Sequence, residues 1–198
     1  MISHIHKAVF IHVPKTAGMS MRTYFRKKKF EPAEYHSPDG TNDDQTGVYI
    51  NGTSWRIQRN YTDVWDKYFK FAFVRNPWDR MVSCWKNRAK SYDQFDKFLD
   101  DYPYKSYNHN LIWHTLPQLT HIQDLDGNSM VDFIGRFENL NNDLKTICEN
   151  INVEYTPLPH KNKSTHKPYQ EYYNSRTKDL VACIYKEEIE MFNYRFDD

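Results

Sequence analysis

Ala8-Val9-Phe10-Ile11-His12-Val13-Pro14-Lys15-Thr16-Ala17-Gly18-Met19-Ser20 is the stretch from which the rest of this 198-residue chain is read. It opens as an apolar run of Val, Ile and Phe, as a buried parallel strand does. Pro14 closes the strand, because proline donates nothing to a ladder. Lys15, Thr16, Gly18 and Ser20 then fall where a helix begins and its first backbone N–H groups have no partners. Amides, helix dipole, a lysine charge and hydroxyls converge there, which makes the turn a place for an anion. The plainer alternative is a strand-to-helix turn that is simply capped and binds nothing.

Phe69-Lys70-Phe71-Ala72-Phe73-Val74-Arg75-Asn76-Pro77-Trp78-Asp79-Arg80 repeats the design. A strand runs into Arg75, Asn76-Pro77 makes the turn, and a helix is predicted from Trp78 to Ala89, with Asp79 favourable to its dipole. Arg75 and Ser83, one turn into that helix, form a second anion cradle at the carboxyl end of a strand. In open α/β sheets ligands bind at that edge. Two cradles predict a ligand phosphorylated at two places. Strand followed by helix several times over predicts an α/β fold, a central parallel sheet flanked by helices, in one domain spanning 1–198.

A net charge of +1 gives no global field for nucleic acid, so any anion site is local. Low mean hydropathy beside 5 Trp, 15 Tyr and 12 Phe argues for a polar globular protein with aromatic-lined clefts. No apolar run approaches a membrane span and Met1 opens no secretory leader, so a cytoplasmic location, bacterial or phage-encoded, is expected. A lumenal domain cut from a membrane anchor would read the same. Cys84, Cys148 and Cys183, odd in number and far apart, read as buried thiols of a reducing compartment. Asn51, Asn60 and Asn162 open Asn-x-Ser/Thr triplets, read as chance without a leader.

The basic end of the first helix, Arg26 to Lys29, reads as a solvated terminus. Phe30–His36 is expected to be a short edge strand at Pro32, and 37–54 a long loop. One helix is expected over Trp55–Tyr68 and another around Phe95, Phe98 and Leu99. Asp124-Leu-Asp-Gly-Asn is a turn with no distal Glu at calcium-loop spacing, so no metal is expected. Val131–Phe137 reads as a strand ending at Arg136 and Glu138, followed by a helix capped by Asn141 and reaching Ile151. The last helix, Ser175–Phe192, carries Leu180, Ile184, Ile189 and Phe192 as its expected core stripe.

With both cradles in view, the chain resembles the sulfotransferase family that uses 3′-phosphoadenosine-5′-phosphosulfate (PAPS), and within it the small soluble branch related to carbohydrate sulfotransferases. The family's Pro-Lys-Thr-Ala/Gly-Gly-Thr-Ser motif stands here as Pro14–Ser20. Its Val-Arg-Asn-Pro-x-x-Arg-x-x-Ser motif is complete as Val74–Ser83. His114–Gln118, Phe133–Asn139 and His160–Ser164 also look like family segments, so the resemblance spans about residues 8 to 194. It implies a single-domain, P-loop NTPase-like three-layer fold. It also implies in-line transfer of a sulfuryl group from PAPS to a hydroxyl or amine of a saccharide or small-metabolite acceptor, releasing 3′,5′-adenosine bisphosphate. By resemblance, Lys15, Thr16, Ala17, Gly18, Met19 and Ser20 hold the 5′-phosphosulfate, with Lys15 also catalytic. Arg75 and Ser83 hold the 3′-phosphate, Lys163 and Ser164 close over the cofactor, and no metal takes part.

Two departures matter. Met19 stands where the family has Thr, which removes one hydroxyl from the cradle. The stretch Ile50–Trp55 lacks the histidine that many relatives carry there. The base that takes the acceptor proton is therefore sought first at His36, then His114, then Glu138, while His4, His6 and His12 read as packing or surface groups. Two rivals stand beside the transferase: a nucleotide kinase or NTPase, although the Gly-x-x-x-x-Gly-Lys-Ser/Thr loop is absent, and a catalytically degenerate PAPS-binding module. Acceptor identity and oligomeric state are not written in the sequence.

Overall fold

The computed structural model describes residues 1–32, 54–101, 109–158 and 167–198. They form two compact units, Met1–Val74 with Gln118–Lys161, and Arg75–Pro117 with Asn162–Asp198.

The first unit is built on a four-stranded sheet, β1 (Ile2–Ser3), β2 (Ala8–Ile11), β3 (Phe69–Val74) and β4 (Phe133–Arg136), in the order β1-β2-β3-β4. β1 runs antiparallel to β2, and β2, β3 and β4 are mutually parallel. Every residue of β2 is buried, as its unbroken apolar run requires. Helix α1 (Gly18–Lys27) turns Met21, Tyr24 and Phe25 inward at helical spacing and leaves Arg26 and Lys27 exposed in its last turn. Those residues join Phe10, Phe71 and Phe73 of the sheet and Leu144, Ile147 and Cys148 of α7 (Leu140–Asn150) in one core. Phe73 pairs with Gly135 across β3 and β4, and a Cβ on Gly135 would stand 2.5 Å from the Phe73 ring. Glycine there lets the ring lie flat over the neighbouring strand. Helices α2 (Ser54–Asn60) and α3 (Thr62–Trp65) precede β3.

The second unit centres on α4 (Pro77–Arg88), with α5 (Phe95–Asp101), α6 (His109–Thr115), α8 (Ser175–Ile184) and α9 (Lys186–Phe192). Arg80 of α4 is fully buried. Its guanidinium donates to the carbonyls of His114 (3.3 Å) and Leu116 (2.8 Å), lies 3.8 Å from buried Glu188 and covers the Tyr185 ring at 5.1 Å. Tyr185 donates in turn to the Thr115 carbonyl at 2.6 Å. A buried cation is tolerable only when paired in this way.

Several expectations are corrected. The helix foreseen over Trp55–Tyr68 breaks at Tyr61 into α2 and α3. The edge strand foreseen at Phe30–His36 is, among the described residues, a single bridge from Glu31 to Ile2. The strand at 131–137 is shorter, Phe133–Arg136, and a 3-10 turn over Phe137–Asn139 carries Glu138. α7 starts at Leu140, so the N-cap position belongs to Asn139 and Asn141 lies inside the helix. The terminal helix breaks at Tyr185. Its buried positions are Thr177, Val181, Tyr185, Glu188 and Phe192, while Leu180, Ile184 and Ile189 are half-buried. Partners on α4 and α6 let polar side chains take the inner face. Cys84 and Cys148 are buried, but Cys183 is exposed. The turn at Asp124 forms, its carboxylate accepting from the Asp126 and Asn128 amides.

Candidate active site

β2 and β3 are hydrogen-bonded neighbours running the same way, so their carboxyl ends share one sheet edge. Each leads into one of the turns singled out in the sequence.

In the turn after β2, Lys15 and Ala17 have left-handed backbones, φ 71° and 62°, with Thr16 between them. Left-handed residues alternating with ordinary ones make a concavity of backbone N–H groups suited to an anion. Ala17 occupies the N-cap position of α1 without a side-chain cap, and no acidic residue stands in the first turn. The helix therefore offers its positive end uncountered by a carboxylate of its own. Thr16 is fully buried and its hydroxyl donates to the Val13 carbonyl at 2.8 Å. In this structure the Thr16 hydroxyl is therefore engaged within the turn itself. Ser20 is buried, Lys15 is half-buried, and Met19 is 62 % exposed.

Gly18 follows this turn as the first residue of α1. A Cβ there would lie 1.8 Å from Nε2 of His12, so the imidazole packs directly on the first residue of α1. His12, read from the sequence as packing or surface, thus abuts the cradle. The signal was its place two residues before Pro14 at the end of a strand.

In the turn after β3, Asn76 caps α4 by accepting from Trp78 N at 3.1 Å, and Pro77 takes the first helical position. Arg75 is 7 % exposed and Ser83 8 %. Asp79 and Ser83 stand four apart on one line of α4, and Arg75 lies two residues before the helix begins. Arg75 gives Nε (2.8 Å) and Nη2 (2.7 Å) to the same Asp79 oxygen. Asp79, read in the sequence only for its effect on the dipole, holds the guanidinium through both contacts. Tyr173 donates to the Trp78 carbonyl at 2.9 Å, and its hydroxyl is held well above the ordinary tyrosine range by burial, the Asp79 charge and Tyr169. Sequence reasoning missed both tyrosines, which lie more than ninety residues along the chain and carry no motif.

His114 stands half-buried in the last turn of α6, its carbonyl engaged by Arg80. Glu138 is exposed on its 3-10 turn. His36, Lys163 and Ser164 lie outside the described residues. Among the described residues no group of three or more His, Cys, Asp or Glu is placed to hold a metal, and no helix is long and apolar enough to cross a membrane.

Both turns fit an anionic group, one by backbone amides and a lysine, the other by a buried arginine and a serine. No curated protein and no solved structure matches the chain. The model of the sulfotransferase family matches residues 1–195, nearly the whole length, and takes in both turns. The chain belongs to the sulfotransferase family.

Proposed function

We propose that this protein transfers a sulfuryl group from PAPS to a hydroxyl or amine of a small-molecule acceptor, most simply a saccharide, on a P-loop NTPase-like three-layer fold. The observation that carries the reading is the turn Pro14–Gly18: two left-handed residues open an uncapped helix beside a lysine. Such a turn suits a phosphosulfate better than a neutral ligand. Bound there, PAPS supplies the activated sulfuryl group and is left as 3′,5′-adenosine bisphosphate.

The chain's own residues then have distinct tasks. The amides of Lys15–Ser20 hold the 5′ end, and the Lys15 ammonium offsets charge that grows on the bridging oxygen in the transition state. Arg75, aimed by Asp79, takes the 3′-phosphate with Ser83; the planar guanidinium fork suits phosphate. Lys163 and Ser164 add contacts by family likeness. His36 is the first choice for the base that takes the acceptor proton, with His114 and Glu138 behind it. The location proposed is the cytoplasm. The degenerate-module reading draws on Met19, whose exposed thioether stands where a hydroxyl would serve the cradle.

Incubation with PAPS and a panel of saccharides, following bisphosphate release and acceptor mass, tests the transfer. Wild type should sulfate at least one class of acceptor, and Lys15→Ala should lower kcat by about 100-fold or more, as loss of one charge-stabilising donor does. Binding of PAPS with no transfer to any acceptor would select the degenerate module. A magnesium requirement with ATP turnover would select the kinase.

A further inference from the structure

The second unit carries a feature that neither motif contains. The C-terminal residues 194–198 fold back onto the turn that presents Arg75, and they reach it through the side chain of Asn76. The Asn76 carboxamide is fully employed. Its oxygen accepts from Trp78 N, and its nitrogen donates to the Arg195 carbonyl at 2.8 Å and to the Tyr169 hydroxyl at 3.2 Å. Tyr169 donates onward to the Phe196 carbonyl. The Phe196 ring meets Trp78, Tyr169 and Tyr173 edge-on, at 5.6, 5.7 and 5.4 Å between centroids, and Lys178 Nζ lies 4.4 Å from its centre. Arg195 N donates to the Asp198 carboxylate at 2.6 Å, which closes the segment on itself.

Asn76 is 2 % exposed and Tyr169 8 %, so the bond between their side chains is made away from water, where an unmet polar group is costly. The consequence runs along the helix. Asn76 sets the start of α4, the start of α4 sets where Asp79 stands, and Asp79 holds two nitrogens of Arg75.

We propose that residues 194–198, acting through Tyr169 and the Asn76 carboxamide, are a positioning strap that aims the Arg75 guanidinium at the 3′-phosphate of the bound nucleotide. The strap touches no reacting atom. Its contribution is selectivity: a group carried only by the 3′-phosphorylated nucleotide should sense it, and the 5′ end should not. The inference rests on the PAPS reading above.

The test is calorimetric titration of the full chain with 3′,5′-adenosine bisphosphate and, separately, with AMP. Wild type is compared with Tyr169→Phe, which removes the relaying hydroxyl, and Phe196→Ala, which removes the aromatic anchor. Each variant should lose about tenfold in affinity for the bisphosphate, the effect of misplacing one charge-assisted contact. Affinity for AMP should stay within about twofold, a split that general destabilisation does not produce. Equal losses for both nucleotides, or no loss for either, overturn the strap. If the variants do not fold, hydrogen exchange on wild type decides: bisphosphate should slow the amides of 194–198 and AMP should not, and identical protection by both overturns the proposal. A wild type that binds the two nucleotides equally removes the PAPS reading itself, a result distinct from failure of the strap alone.

Discussion

Gly18 and His12 show how one side chain constrains a binding turn. No Cβ fits at Gly18 while the imidazole stands where it does. Gly18→Ala should therefore weaken binding of 3′,5′-adenosine bisphosphate by about tenfold or more, the scale of a 1–3 kcal/mol steric cost. Adding His12→Ala should restore most of the loss, measured by calorimetry on the single and double variants. A double variant no better than Gly18→Ala would show that the clash is not what matters. Met19 makes the opposite prediction. Met19→Thr offers the cradle a hydroxyl and should tighten binding by about threefold to tenfold, one neutral hydrogen bond's worth. Much of this was legible: a Val/Ile/Phe run, a proline and a Lys-Thr-Ala-Gly string announce strand, turn and anion site within thirteen residues. That His12 presses on Gly18 was not, because six residues of sequence say nothing about which way a half-buried ring turns.

At the level of elements, α4 is bound to its neighbours by an ion pair that no hydrophobic pattern announces. Arg80 and Glu188 are both buried, and Arg80 also ties down the carbonyls of His114 and Leu116. Glu188→Ala leaves a buried cation without its carboxylate and should cost about 3–5 kcal/mol, read as a lower urea midpoint. Arg80→Met combined with Glu188→Leu should recover most of that loss, since an apolar pair of similar volume does the same packing. Additive losses in the double variant would contradict the pairing. The same ion pair explains the misjudged terminal stripe. Apolar spacing pointed to Leu180, Ile184 and Ile189, but Tyr185 and Glu188 go inside because partners seventy or more residues earlier, Thr115 and Arg80, await them. Strands and helices whose reason is local were readable. β1, two residues long and held by pairing with β2, was not.

For the molecule as a whole, Tyr24 and Tyr173 should weaken stability on the alkaline side. Tyr24 lies in the core with its hydroxyl 3.2 Å from Cys148 Sγ, and burial and that contact push it up to about 12 from 10.0. Tyr173 is raised well above 10.0 by burial and the Asp79 charge. Each keeps its proton in the folded state at pH values where the unfolded chain has lost it. The stability these two tyrosines contribute should therefore be fully present below about pH 10 and be lost above it, because there the native state binds more protons at them than the unfolded one does. Tyr24→Phe should flatten part of that slope, seen by denaturant titrations between pH 9 and 12 together with tyrosinate absorbance. A Tyr24→Phe slope identical to wild type would remove Tyr24 from the account.

On the proposed function, the turn after β2 and the turn after β3 serve one nucleotide carrying phosphate at both its 5′ and 3′ positions. Calorimetric titration with 3′,5′-adenosine bisphosphate against ADP and AMP, on wild type and on Arg75→Ala, tests this most directly. Wild type should prefer the bisphosphate by about tenfold or more, a charge-assisted pair's worth, and Arg75→Ala should lose this preference while still binding AMP. Equal or tighter binding of ADP by wild type would contradict it.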